Sequence, residues 1–102
     1  MDERFFKLFK TKKPIIAMVH LGALPGSPLF DPNLGVNGII RNAQNDLKAL
    51  QTAGVDAIMF GNENDRPYEL EVDPASTATA AFVIGKLKDD INVPFGVNML
   101  WD

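Results

Sequence analysis

The chain has 102 residues, of which 46% are hydrophobic and 23% are charged, a composition typical of one globular domain and not of a disordered segment. Its net charge of -3 comes with no basic stripe, which argues against a nucleic-acid partner. The chain has no cysteine, so disulfides and thiolate metal sites are excluded, and no apolar run approaches the roughly 20 residues of a membrane span. These features predict a cytoplasmic protein.

The first predicted element is a short helix over residues 3–10. Its apolar residues share one face at i, i+3, i+4 spacing: Phe5, Leu8 and Phe9. The pattern favours a covering helix, within residues 1–12, at the open end of a sheet. Phe together with Lys is also the chemistry of an interfacial anchor, so peripheral membrane contact through residues 1–13 is the alternative.

Three apolar strands and two helices alternate along the rest of the chain. The predicted strands cover residues 13–20, 55–60 and 94–100. The predicted helices cover residues 39–53, with Asn37 as N-cap and Gly54 as the stop, and residues 74–90, with Asp73 as N-cap. No hairpin signal separates the strands, so right-handed crossovers would make them parallel neighbours in an α/β fold.

Each predicted strand ends in polar residues. His20, the single histidine, closes the first strand, a polar cluster over residues 62–66 follows the second, and Asn98 and Asp102 come with the third. Carboxyl ends of parallel strands meet at one edge of a sheet, which is where α/β folds build their sites. We therefore expect these residues, although distant in sequence, to be neighbours in space.

Three stretches together resemble the BtpA family, which is named for a photosystem I biogenesis factor, and most closely its SgcQ-like branch. They read AMVHLGALPGSPLFD, GVDAIMFGNENDRPYELEVDP and VPFGVNMLWD, in that order. The resemblance covers residues 13–102. It implies the N-terminal part of a (β/α)8 TIM barrel more than twice as long, with residues 1–102 as one partial domain that looks truncated after Asp102. A free-standing α/β sandwich with the same element order is the alternative.

A three-stranded piece of a barrel would leave two strand edges unpaired and the inward sheet face without partners. We expect such a chain to self-associate as a homo-oligomer or to rearrange into an open sandwich. Family activity is expected to be lost in it.

The strand-end residues have the side chains needed for acid–base chemistry and for substrate binding. His20 and Glu63 are the candidate catalytic pair, since imidazole and carboxylate groups move protons near neutral pH. The candidate substrate-binding residues are Asn62, Asp65, Arg66, Asn98 and Asp102. Each of these residues also has a structural interpretation without chemistry. His20 would be a hydrogen-bonded histidine at the edge of the sheet, residues 62–66 would form a solvated turn, and the Asn98 amide would bond neighbouring backbone.

No cofactor can be named from the sequence, and no metal-ligand spacing predicts a metal. The stretch over residues 22–26 lacks the Lys-Ser/Thr ending of a phosphate loop. The resemblance implies a barrel enzyme that acts on a small polar metabolite, with a phosphorylated metabolite as one option, and it does not name the reaction. The alternative is a non-catalytic assembly factor for a membrane complex, so the sequence leaves open whether the protein is an enzyme.

Overall fold

The computed structural model of the chain describes residues 3–100. Its elements are, in chain order, helix α1 (Glu3–Leu8), strand β1 (Ile16–His20), helix α2 (Gly35–Ala53), strand β2 (Ala57–Gly61), helix α3 (Pro74–Leu87) continued by a 3-10 turn (Lys88–Asp90), and strand β3 (Phe95–Asn98). The three strands form one sheet in the order β1-β2-β3, and both pairings are parallel. The predicted parallel β-α-β-α-β fold, preceded by a short helix, is therefore confirmed.

Helix α2 begins four residues before the predicted start, so the prediction of Asn37 as its N-cap is wrong. The preceding residue, Leu34, makes no side-chain cap. Instead the helix follows directly on a backbone turn, in which the Gly35 N–H donates to the Asp31 carbonyl at 3.0 Å. The predicted stop is confirmed, because Gly54 has a left-handed φ of 89° and its N–H donates to the carbonyls of Gln51 and Leu50.

Helix α3 begins as the sequence predicts. The Asp73 side chain accepts a hydrogen bond from the Ser76 N–H at 2.8 Å, and Pro74 occupies the first helical position, where its missing N–H costs nothing. The helix gives way to the 3-10 turn after Leu87, three residues before its predicted end. The three strands are likewise shorter than the predicted ones, a difference confined to their ends.

The hydrophobic core lies between one face of the sheet and helices α2 and α3. Its buried members are Val19, Leu21, Leu24, Ile39, Ala43, Leu47, Ile58, Phe60, Ala80, Val83 and Leu87. Side chains alternate between the two faces of a strand, so residues on either side of Val19 belong to the opposite face. That opposite face is uncovered: Ile16 is 48% exposed and Met18 is 43% exposed.

Within residues 3–100, strands β1 and β3 each pair with β2 alone, so their outer edges are open. Self-association through these edges stays a prediction. Helix α1 buries none of its residues, and the Phe5 ring packs on Phe9, the residue just after the helix, with ring centroids 5.2 Å apart. A covering role for this helix, or a role as a membrane anchor, also stays a prediction.

Replacing Leu47 with Ala should destabilise the fold strongly, because this side chain of α2 is 1% exposed and belongs to the hydrophobic core. We expect a loss of about 2–5 kcal/mol in the free energy of unfolding, measured by urea titration with circular dichroism. The matched control is Leu70→Ala, since Leu70 is 86% exposed and its loss should change stability by less than about 0.5 kcal/mol. Equal effects of the two changes would contradict the core described above.

Candidate functional site at the carboxyl edge of the sheet

A row of three residues crosses the sheet at its carboxyl edge. His20 is opposite Gly61 in the β1–β2 pairing, and Gly61 is opposite Asn98 in the β2–β3 pairing. Residues paired in parallel strands point to the same face, so His20 and Asn98 belong to the face that the helices leave uncovered. Both are exposed. The structure thus brings an imidazole and a carboxamide to the same edge and the same face of the sheet.

Gly61 lies between these two residues, has no side chain and is buried. A Cβ atom built on Gly61 would lie 3.8 Å from His20 Cδ2 and 3.5 Å from the Asn98 carbonyl oxygen. These are ordinary van der Waals distances, so the fold tolerates a methyl group there. Met18 Cε would lie 3.6 Å from the same Cβ atom, so neighbouring atoms surround this position. The Gly61 carbonyl accepts a hydrogen bond from the Leu21 N–H at 2.9 Å.

Asn62, the first residue after β2, is 2% exposed and makes two hydrogen bonds to one backbone residue. Its Oδ1 accepts from the Leu100 N–H at 2.6 Å, and its Nδ2 donates to the Leu100 carbonyl at 3.0 Å. A buried amide must find partners of this kind, because an unsatisfied one costs several kcal/mol. Asn62 therefore fastens the segment after β3 to the end of β2.

Asn64 and Asp65 make the equivalent contacts to the segment after β1. Asn64 Nδ2 donates to the Leu21 carbonyl at 2.8 Å, and Asp65 Oδ1 accepts from the Leu24 N–H at 2.6 Å. Asp65 is 7% exposed. The predicted polar cluster after β2 is thus partly a clamp that holds the segments following both neighbouring strands.

Glu63 and Arg66 belong to the exposed part of the same cluster. Arg66 Nη2 lies 3.5 Å from Glu63 Oε1, with side-chain exposures of 63% and 41%. Such a surface ion pair is worth about 1 kcal/mol or less, so either group can leave it for a ligand. The Glu63 carbonyl also accepts hydrogen bonds from Arg66 Nε at 3.3 Å and from the Tyr68 hydroxyl at 2.9 Å.

The surroundings of the Asp65 carboxyl shift its pKa. Burial raises the pKa of this carboxyl above its ordinary value of 3.8, and the Asp73 carboxylate raises it further. Hydrogen bonds from the Leu24 N–H and the Asn62 side chain act in the opposite direction without reversing the shift. The charged form of Asp65 is therefore held at a cost in the folded protein.

The predicted site residues separate into two groups in space. The side chains of His20, Glu63, Arg66 and Asn98 are accessible, whereas Asn62 and Asp65 are buried in contacts with backbone. Asp102 lies outside the described residues. The assignment of catalytic and binding roles to these residues stays a prediction. The sequence placed Asn64 in the polar cluster without giving it a role, and it gave no sign of Gly61, which only the strand register identifies.

Within the described part of the chain, residues 3–100, no three His, Asp or Glu side chains are grouped closely enough to enclose a metal ion. No helix in that part combines the length and apolar character that crossing a bilayer requires.

Parallel strands covered by helices define a parallel α/β protein, and the polar strand ends that share one edge of its sheet form a candidate site. The chain belongs to the BtpA family, whose sequence profile matches residues 11–102. The confirmed resemblance thus covers almost the whole chain.

Three relatives illustrate the range of the family. The putative sgc region protein SgcQ of Escherichia coli is 56% identical over 90% of this chain, and an uncharacterized protein of Methanocaldococcus jannaschii is 39% identical over 91% of it. The photosystem I biogenesis protein BtpA of Synechocystis is 34% identical over 93% of the chain. The chain spans only 34%, 34% and 33% of these proteins respectively, about a third of their length. No solved structure matches the chain significantly.

The raised pKa of Asp65 predicts how stability depends on pH. The folded state holds this proton more tightly than the unfolded chain does, so the resulting stability is present below pH 3.8 and is lost as pH rises through the folded pKa. Asp65→Asn, which cannot ionise, should remove this loss. Measuring the free energy of unfolding between pH 3 and about 7 should give a steeper fall in the wild type than in Asp65→Asn.

The control for this experiment is Asp46→Asn, which makes the same change of charge at an exposed position on α2. It should keep the wild-type profile. A wild-type profile that runs parallel to that of Asp65→Asn would show that the buried carboxyl does not contribute.

Proposed function

We propose that the chain forms the first part of a (β/α)8 barrel enzyme that acts on a small polar metabolite at the carboxyl edge of its strands. The observation that supports this is the row of exposed His20, side-chain-free Gly61 and exposed Asn98 in one register across three parallel strands. The chain spans about a third of its relatives, so activity is proposed for the complete barrel and not for this part alone.

The proposed chemistry is proton transfer by His20 with Glu63 as the second acid–base group. Neighbouring parallel strands lie about 4.8 Å apart, so the outer strands of the row are separated by about 10 Å, enough for a small metabolite above Gly61. The Asn98 carboxamide can both donate and accept a hydrogen bond, which suits it to orienting such a molecule.

Arg66 is the proposed contact for a carboxylate or phosphate on the substrate. The Arg66 side chain is 63% exposed and contacts Glu63 through a surface ion pair and a 3.3 Å hydrogen bond from Nε to the backbone carbonyl. Planar guanidinium groups recognise both kinds of anion. Asn62 and Asp65 are proposed to serve the substrate indirectly, by fixing the segments around it. Asp102 is proposed as a further substrate contact on the strength of its place in the family motif alone.

The test uses a full-length family member with the position that matches His20 changed to Ala, in a turnover screen against small polar metabolites. Loss of a general acid or base lowers turnover by about 10²–10⁴-fold. Substrate binding is tested at the position that matches Asn98, where a change to Ala should raise KM. The control is the position that matches Asn45, which is exposed on α2 and where a change to Ala should leave KM unaltered. Full turnover without the imidazole would remove His20 from the mechanism.

A second function is a non-catalytic role in assembling a membrane complex. The Synechocystis relative carries the name photosystem I biogenesis protein, and it is 34% identical to this chain. Helix α1 supports a membrane contact, because Phe6 is 45% exposed and Leu8 is 53% exposed beside basic residues. Here the strand-edge residues would bind a ligand or partner without turning it over.

Replacing both Phe6 and Leu8, the exposed apolar residues of α1, with Ser tests the membrane contact. If α1 anchors the protein, the wild-type chain should pellet with anionic lipid vesicles and the double variant should not. Phe82→Ser is the matched control, since Phe82 is 48% exposed but belongs to α3. Equal pelleting of wild type and the double variant would exclude an anchor in α1.

A further inference from the structure

Two segments of opposite charge meet the sheet at opposite edges. Residues 3–13 form a basic segment, with five basic residues and one acidic residue, and so hold half of the ten basic residues of the chain. Residues 63–73 form an acidic segment, with five acidic residues and one basic residue. The basic segment leads into the amino end of β1, whereas the acidic segment follows the carboxyl end of β2. Because these strands are parallel, the two charges belong to opposite edges of one sheet.

The basic segment exposes apolar side chains beside its charges. Helix α1 buries none of its residues, and Phe6 and Leu8 are both exposed. Lys7 and Lys10, next to them in the chain, are exposed as well. Large apolar side chains that stay exposed and are flanked by charge are typical of a surface that binds a partner.

The acidic segment also has an exposed apolar residue at its centre. Among the large hydrophobic residues of the described part of the chain, Leu70 is the most exposed, and Glu69 and Glu71 on either side of it are exposed too. Ser27 and Glu69 line the same small cavity, so the segment after β1 lies beside the acidic segment. It adds a second exposed leucine, Leu29, to this end of the protein.

We propose that these two surfaces bind each other between copies of this chain, with the basic segment of one copy seated on the acidic segment of the next. The lysines of the basic segment would meet Glu69 and Glu71, and the apolar side chains of α1 would cover Leu70. Complementary charges of this kind speed association and fix the orientation of the partners. The contact is heterologous, since two different surfaces meet, so each pair of copies still has one free surface of each kind.

A second copy fits these observations better than a lipid bilayer does. Basic and aromatic side chains also bind anionic lipid, but an anionic bilayer repels the acidic segment. A second copy gives both segments a partner at once. Each segment is about half as long as the roughly 20–30 residues per side of a stable interface, so the association is weak and depends on salt. The proposal does not rest on the proposed enzyme activity.

The first test is sedimentation equilibrium of the chain at low and high salt. At about 20 mM NaCl the weight-average mass should rise with protein concentration to about twice the monomer mass. At about 500 mM NaCl it should return to the monomer mass, because the Debye length falls from about 20 Å to about 4 Å. This measurement needs no variant.

Two double variants identify the two surfaces. Lys7→Gln with Lys10→Gln neutralises the basic surface, and Glu69→Gln with Glu71→Gln neutralises the acidic one. Each double variant alone should associate about tenfold more weakly than the wild type, since two surface ion pairs are lost. An equimolar mixture of the two should form a dimer with the wild-type affinity, because each variant retains the surface that the other lacks. Sedimentation at low salt measures all three samples.

Chemical cross-linking of the wild-type chain gives a second measurement without variants. A carbodiimide joins a carboxylate directly to an amine, so it links only groups that touch. In a mixture of isotopically light and heavy chains, mass spectrometry should find Lys7 or Lys10 joined to Glu69 or Glu71 of the other isotope. Such a link shows that the two surfaces come from different copies.

The matched control is Asp46→Asn with Asp89→Asn, which removes two exposed acidic charges elsewhere and should leave the association unchanged. The proposal is overturned if the wild type is monomeric at low salt, or if the mixture of variants associates no better than either variant alone. Association that persists at high salt and in both double variants would also overturn it and would assign the contact to the open sheet edges. A monomeric wild type that pellets with anionic vesicles would overturn it in favour of a membrane contact.

Discussion

The central strand holds this structure together, through backbone pairing along its length and side-chain hydrogen bonds just beyond its end. Strand β2 pairs with both neighbours, and the segment after it then contacts the segments after both. Asn62 binds the backbone at Leu100, while Asn64 and Asp65 bind it at Leu21 and Leu24. Loops that carry a site need support of this kind, because a displacement of about 1 Å can cost a large factor in rate.

This arrangement explains why five consecutive polar residues follow a buried strand. Asn62 and Asp65 are buried, and each must satisfy its polar atoms inside the protein. The side chains of Glu63 and Arg66 are exposed and form a surface ion pair with each other. Residues 62–66 therefore both hold the neighbouring segments in place and present exposed charges to the solvent.

The order and direction of the strands could be predicted because apolar runs, capping residues and the lack of hairpins are local signals. Asp73 and Gly54 were predictable ends of helices for that reason. The start of α2 was not, since it depends on a backbone turn at Asp31 that needs no capping side chain. Composition likewise cannot tell which of two neighbouring residues, such as Asn62 and Glu63, turns inward, because that depends on the partner each one meets across the sheet.

The uncovered face of the sheet connects the fold to the proposed site. Ile16 and Met18 share that face with His20, and each is about half exposed, so full burial would contribute about 1 kcal/mol more from each. Any further chain that covers these two side chains must also pass beside the row from His20 to Asn98. Residues that pack on the apolar part of this face would therefore also surround its polar end. The proposed substrate pocket and the rest of the core would then form together. For this reason the row would supply only the reactive groups of the proposed site, while the walls and selectivity of that site would depend on the rest of a complete barrel.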